Sequence, residues 1–171
     1  MTDNPTGKQV QHYTLDELEK RVGEKLGSSS WIEISQARIQ LFADATDDHQ
    51  WIHLDEQRAA ESPFGSTIAH GYLTLSLVPR ILAESYGVQD KTTGINYGVD
   101  RVRFLTPVKS GSSVCGHVTL AKMERASPEN AKLHLDIVID VRFPDGTLSE
   151  KPACLARVIV VAITGQASSS S

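Results

Sequence analysis

No stretch of the sequence approaches the ~20 apolar residues of a membrane-spanning helix, and the N-terminal run Met1 to Lys8 carries no apolar core of the secretory kind. A cytoplasmic protein is expected. Positive charge is also scarce: 17 Lys and Arg face 21 Asp and Glu, giving a net charge of -4, and the basic residues form no long run. Neither nucleic acid nor an anionic membrane surface is therefore expected as a partner. The 2 cysteines, Cys115 and Cys154, lack CxxC spacing and lie in apolar, strand-like segments, which leaves buried free thiols as the expectation. No internal repeat or linker-like break divides the chain. Its 171 residues, 40% of them hydrophobic, suffice for one domain that buries roughly two-thirds of its unfolded surface.

The first structural signal is Thr14-Leu-Asp-Glu17, the pattern of a capping box, and the spacing after it predicts a helix of about three turns to Leu26. Residues 1–12 before it are expected to be flexible. Trp31 to Ser35 alternates as a half-buried strand does, and Ser35 then suits an N-cap for a helix that places Ile39, Phe42 and Ala43 on one face. A short helix is expected over Asp55 to Glu61. Between Ala69 and Tyr86 the residues Tyr72, Leu73, Leu75, Leu77, Val78, Ile81 and Leu82 leave little polar face, so this helix should be enclosed by other structure, with a bend at Pro79. Strand patterns follow over Ile95 to Leu105, Ser113 to Met123, Lys132 to Phe143 and Leu155 to Ile163. Tight connections are expected at Pro128-Glu-Asn130 and Pro144-Asp-Gly146. One apolar helix followed by a meander of long strands implies an α+β domain over residues 13–164, its antiparallel sheet wrapped around the helix. The Ser-rich residues 165–171 are expected to be a disordered tail.

Chemistry concentrates in Phe42 to His53. Asp44, Asp47, Asp48, His49 and His53 stand among apolar Phe42, Trp51 and Ile52. A carboxylate and an imidazole beside apolar residues suit proton transfer, because partial burial moves both pKa values toward neutrality. Spacing alone favours a loop ion pair or a helix C-cap for Asp48 and His53, and His49 with His53 could hold a metal if both lay on one helix face. The neighbouring residues match no zinc motif, and the acidic spacing is not that of a calcium loop. No metal is expected.

The segments Asp48-His-Gln-Trp-Ile-His53, Ala69-His-Gly71 and Val102-Arg-Phe-Leu-Thr-Pro-Val108, in this order, resemble the MaoC-like family of (R)-specific enoyl-CoA hydratases and 3-hydroxyacyl-thioester dehydratases, most of all its nodulation-protein-N-like branch. The resemblance covers residues 10 to 163. It implies a hotdog fold, a homodimer, and a thioester of coenzyme A or acyl carrier protein as substrate, with no separate cofactor. The family motif runs approximately Ser/Thr-Gly-Asp-x-Asn-Pro-Ile/Leu-His. Laid on this sequence, its catalytic aspartate falls on Asp48 and its catalytic histidine on His53. Asp47 stands where the motif has Gly, Gln50 where it has Asn, and Trp51 where it has Pro.

Adding water across an α,β-unsaturated thioester needs a base for the water, an acid for Cα, and a donor for the charge that builds on the thioester oxygen. Asp48 and His53 are expected to share one water in the first two roles. Gly71, opening the buried helix without a side chain, is the expected oxyanion donor. Gln50 is expected to orient water or substrate, and Asn96 and Tyr97 to line the acyl tunnel if they are not core packing. His70 reads as structural. Arg101 and Arg103 read as a solvated strand face, with coenzyme phosphates as the alternative. Two other classes stay open, a hotdog thioesterase and a non-catalytic acyl-thioester binding module, and the Asp48/His53 pair argues against both.

Overall fold

The computed structural model describes residues 9–165; the flexible start and disordered tail expected from sequence fall largely on residues 1–8 and 166–171, outside them. Gln11 and His12 are not loose. β1 (His12–Tyr13) pairs in parallel with β4 (Gly87–Val88), and the Gly87 N–H donates to Gln11 O at 2.9 Å. Thr14 and Glu17 form the capping box, but helix α1 (Leu15–Glu19) stops well short of Leu26. Gly23, at φ +92°, turns the chain so that its N–H reaches Leu120 O, and Leu26 enters β2 (Lys25–Ser28) instead. A sheet edge outbids local helix preference here because it buries Leu26 to 6% exposure and pairs the backbone as well.

β3 (Ile32–Ile34) and α2 (Gln36–Thr46) follow as the sequence predicts, with the Ser35 Oγ accepting from Arg38 N and Ile39 and Ala43 buried. Two short helices, α3 (Trp51–Leu54) and α4 (Glu56–Ala60), carry the chain to the central helix. That helix is two pieces, α5 (Gly71–Ser76) and α6 (Val78–Ser85), broken around Leu77 with Pro79 in the first turn of the second. Proline lacks the N–H a continuous helix needs and is well tolerated only in a first turn, so the bend becomes a restart.

Four long strands form the sheet: β5 (Lys91–Phe104), β6 (Ser112–Ser127), β7 (Asn130–Arg142) and β8 (Cys154–Thr164). The antiparallel order is β2-β6-β7-β8-β5, with β3 also on β6. Along β7 buried and half-buried residues alternate without a break, and Leu133, Leu135, Ile137 and Ile139 face the core. The sheet closes tightly on α6. A Cβ on Gly116 would lie 2.4 Å from the Ile81 side chain, and one on Gly27 2.1 Å from Ser85 O, so both strands can approach only as glycine. Pro128 and Glu129 make the tight β6–β7 turn. Pro144 to Gly146 does not join β7 to β8 directly; it folds back so that Leu148 bridges Arg142, and the chain runs on to Cys154 before β8 starts. β5 is the edge opposite β2 and β3, and most of it is exposed on both faces.

Candidate active site

α2 ends where the acidic cluster begins. Asp47 caps it in the left-handed conformation, φ 57° and ψ 20°, which throws the following residues toward the start of α5. Asp44 stays outside the site, accepting from Gln40 Nε2 at 2.8 Å and pairing with His49 Nε2 at 3.0 Å. That bond to Asp44 raises the His49 pKa and, reciprocally, lowers that of Asp44. Both lie at the surface, so the pair is a solvated contact of little energetic weight.

Asp48 and His53 do come together, and His70 joins them: one polar side-chain atom from each lies within 4.8 Å of the other two. His53 is 6% exposed and donates Nδ1–H to Ile68 O at 2.7 Å. A carbonyl only accepts, so in the neutral ring Nε2 is the nitrogen left to take a proton. Burial lowers the His53 pKa, the bond to Ile68 opposes this, and nearby His70 adds to the lowering. The neutral imidazole is thereby favoured. His70, at the N-cap of α5, donates Nε2–H to Asp48 O at 2.9 Å, and its Nε2 lies 3.9 Å from Asp48 Oδ2. The Asp48 side chain is 55% exposed, so the pair straddles the boundary between solvent and interior.

A cleft of about 320 Å³ opens beside them, lined by Ile52, His53, Ile68, Gly71, Thr74 and Phe104 among others. Gly71 is the first residue of α5, so its N–H has no acceptor within the helix. The space its side chain would take is filled by Phe104, whose ring carbon Cδ2 would lie 2.8 Å from an added Cβ. Gln50 is exposed at the N-cap of α3 and makes no capping bond with its side chain. Asn96 and Tyr97 do not line this cleft. Asn96 lines a separate groove with Leu75, Val78, Pro79 and Val99, while Tyr97 faces the far side of the sheet, where Lys132 Nζ sits 4.2 Å from its ring. The strand register shifts between Asn96 and Gly98, and the two side chains point to different surroundings. Arg101 and Arg103 lie exposed beside Arg157, which pairs with Asp136 through two 2.7 Å bonds.

The model of the MaoC like domain family matches residues 17–140. The chain belongs to the MaoC-like family. It is 44% identical over 147 residues to 3-hydroxyacyl-thioester dehydratase Z of Mycobacterium tuberculosis, covering 86% of this chain and 94% of that one. With Nodulation protein N of Rhizobium meliloti it shares 44% identity over 157 residues, 90% and 93% of the two chains. Among solved structures, R-hydratase PhaJ1 from Pseudomonas aeruginosa superimposes with a TM-score of 0.66 at 25% identity, covering 92% of this chain and 90% of that one. The fold is the hotdog fold of these MaoC-like proteins.

The departures from the MaoC-like motif are accommodated locally. Asp47 takes the left-handed backbone at the motif's glycine position, and aspartate is among the few other residues that adopt it readily. Trp51 replaces proline at the first position of α3 and stacks under Arg58, whose guanidinium carbon is 4.2 Å from its ring. Sequence reasoning missed Gln36 altogether, placed Phe104 only within the Val102 to Val108 segment and gave it no role, and read His70 only as structural. A hydrogen-bonding side chain at the start of α2 carries no motif, and the contact of Phe104 with Gly71 joins residues far apart in the chain, so only the packing reveals either role.

Proposed function

We propose that the protein is an (R)-specific enoyl-thioester hydratase, adding water reversibly to a trans-2-enoyl thioester of coenzyme A or acyl carrier protein to give the (R)-3-hydroxyacyl thioester. The observation that carries this is the meeting of Asp48 and His53 beside a cleft that also holds Gly71. One water bridges the carboxyl of Asp48 and Nε2 of His53. As its oxygen bonds to Cβ, one O–H bond breaks and the proton passes to the pair. The electron pair of the C=C bond moves through Cα onto the thioester oxygen, where the Gly71 N–H stabilises it. The same pair returns a proton to Cα, so the enzyme ends in its starting state. Dehydration runs the steps backward. No cofactor enters; coenzyme A is part of the substrate.

The protein works as a homodimer on this reading. β5 exposes Ile95 (47%), Tyr97 (59%) and Val99 (50%) along an edge strand, and such an edge needs pairing or cover. Cys115 and Cys154, both buried thiols and not joined in a disulfide, suit the reducing cytoplasm. No helix of the described residues is long and apolar enough to cross a membrane.

The test is to incubate the purified protein with short and long trans-2-enoyl-CoA substrates and to separate the products on a chiral column. (R)-3-Hydroxyacyl-CoA is expected. Free CoA without hydroxyacyl product moves the assignment to a thioesterase, and the (S) product overturns the stereochemistry.

A further inference from the structure

We infer that Gln36 is a positioning residue for His53, locking the helical turn that carries the histidine onto the segment whose carbonyl holds its Nδ1–H. The inference rests on the reading of His53 as the base. Gln36 Nε2 donates to His53 O at 2.8 Å, and Gln36 Oε1 accepts from Thr67 Oγ1 at 2.6 Å. The amide orientation is unambiguous. His53 O only accepts, so the NH2 group must face it, which turns the oxygen toward the Thr67 hydroxyl.

The mount is rigid. Gln36 opens α2 next to its Ser35 cap, and Ile39 one turn later is fully buried. Thr67, at the other end of the bridge, is 2% exposed. Besides the histidine ring itself, α3 is tied to this segment by the Ile68 N–H, which donates to Ile52 O at 3.0 Å. One backbone bond is a pivot; the Gln36 bridge adds the second point that stops rotation about it. Without the bridge α3 can rock, and the 2.7 Å contact between His53 Nδ1 and Ile68 O is the first geometry to suffer. As that bond loosens, neutral His53 redistributes toward the tautomer protonated on Nε2, whose only free lone pair is on Nδ1, away from the water.

The test compares wild type with Gln36→Met, which keeps length and bulk but makes neither hydrogen bond. Three measurements are made: steady-state hydration of trans-2-enoyl-CoA, its pH profile, and ¹⁵N spectra of histidine-labelled protein, with His53 assigned by its loss in His53→Ala. We expect kcat to fall roughly tenfold to a hundredfold with KM little changed, as a displacement of about 1 Å in a reacting group does. The His53 signals should shift from the Nδ1–H toward the Nε2–H tautomer. The acid limb of the profile should move to lower pH, because the bond to Ile68 is what opposes the effect of burial. A role in stability alone would reduce folded protein without moving tautomer or pH limb. If Gln36→Met does not fold, Gln36→Glu retains the acceptor for Thr67 and carries the same measurements. Normal kcat and an unshifted tautomer in the folded variant overturn the inference. Should wild type fail to hydrate enoyl-CoA, the functional reading fails, while the tautomer readout still decides the role of Gln36.

Discussion

The rings of His53 and His70 stack with centroids 3.7 Å apart and planes inclined by 26°, and both side chains are shielded from solvent. One imidazole thus forms a wall for the other. Since His70 also donates to Asp48 O, a single buried residue fixes both the face of the His53 ring and the backbone that presents Asp48. The backbone of Asp48 and the ring of His53 thus share one anchor, while the Asp48 carboxyl itself stays 55% exposed.

Asp48 and His53 acting on one water should be strongly non-additive. Asp48→Asn and His53→Ala are each expected to lose ~10²–10⁴-fold in kcat, and the double variant little more. Kinetics on all three, with thermal unfolding curves to confirm folding, check this. Near-normal hydration by well-folded Asp48→Asn would show that the active site lies elsewhere.

Acid pH should act through His53. Its pKa lies below the ordinary 6.5 because it is buried, so the neutral base persists as pH falls past 6.5 and activity drops only further down. Stability follows with a definite sign. The unfolded chain binds this proton first, so stability declines as pH falls from 6.5 through the folded-state value, and recovers as pH rises. Urea midpoints measured across this window should show the slope in wild type and a shallower one in His53→Gln.

Gly71→Ala should strike the Phe104 ring, since the new Cβ would sit 2.8 Å from Cδ2. Phe104 is 46% exposed and can yield, so the stability cost is expected near the low end of about 1–3 kcal/mol. Displacing the oxyanion donor is more serious, and kcat should fall by roughly 10². Pairing the change with Phe104→Leu should recover the thermal midpoint more fully than the rate, which separates crowding of Phe104 from displacement of the N–H that alanine retains.

The β5 edge should govern assembly. Ile95→Asp with Val99→Asp places carboxylates on two residues that are 47% and 50% exposed in the single chain. Light scattering at micromolar concentration is expected to give a dimer for wild type and a monomer for the double variant, with far-UV circular dichroism unchanged. A monomeric wild type that retains activity would refute the dimer.

Much of the architecture was legible from local chemistry. Period-two alternation marked β5 to β8, Thr14 and Glu17 marked the start of α1, and Ser35 marked α2, because backbone preference and one-sided burial act over a few residues. The family motif likewise picked out Asp48 and His53 after α2, but the helical turn α3 that carries His53 was not foreseen. Where α1 ended was not local: Gly23 and Leu26 answer to Leu120 and the edge of β6. Nor was the scaffold of the site. His70 reaches Asp48 across 22 positions, Thr67 reaches Gln36 across 31, and Phe104 fills the space over Gly71. Tyr97, adjacent to Asn96 in the chain, turned to the opposite face of the sheet. The sequence determined which groups can do the chemistry; only folding the sheet around the broken helix decided which of them meet, because partners distant in the chain are chosen by packing and not by neighbouring residues.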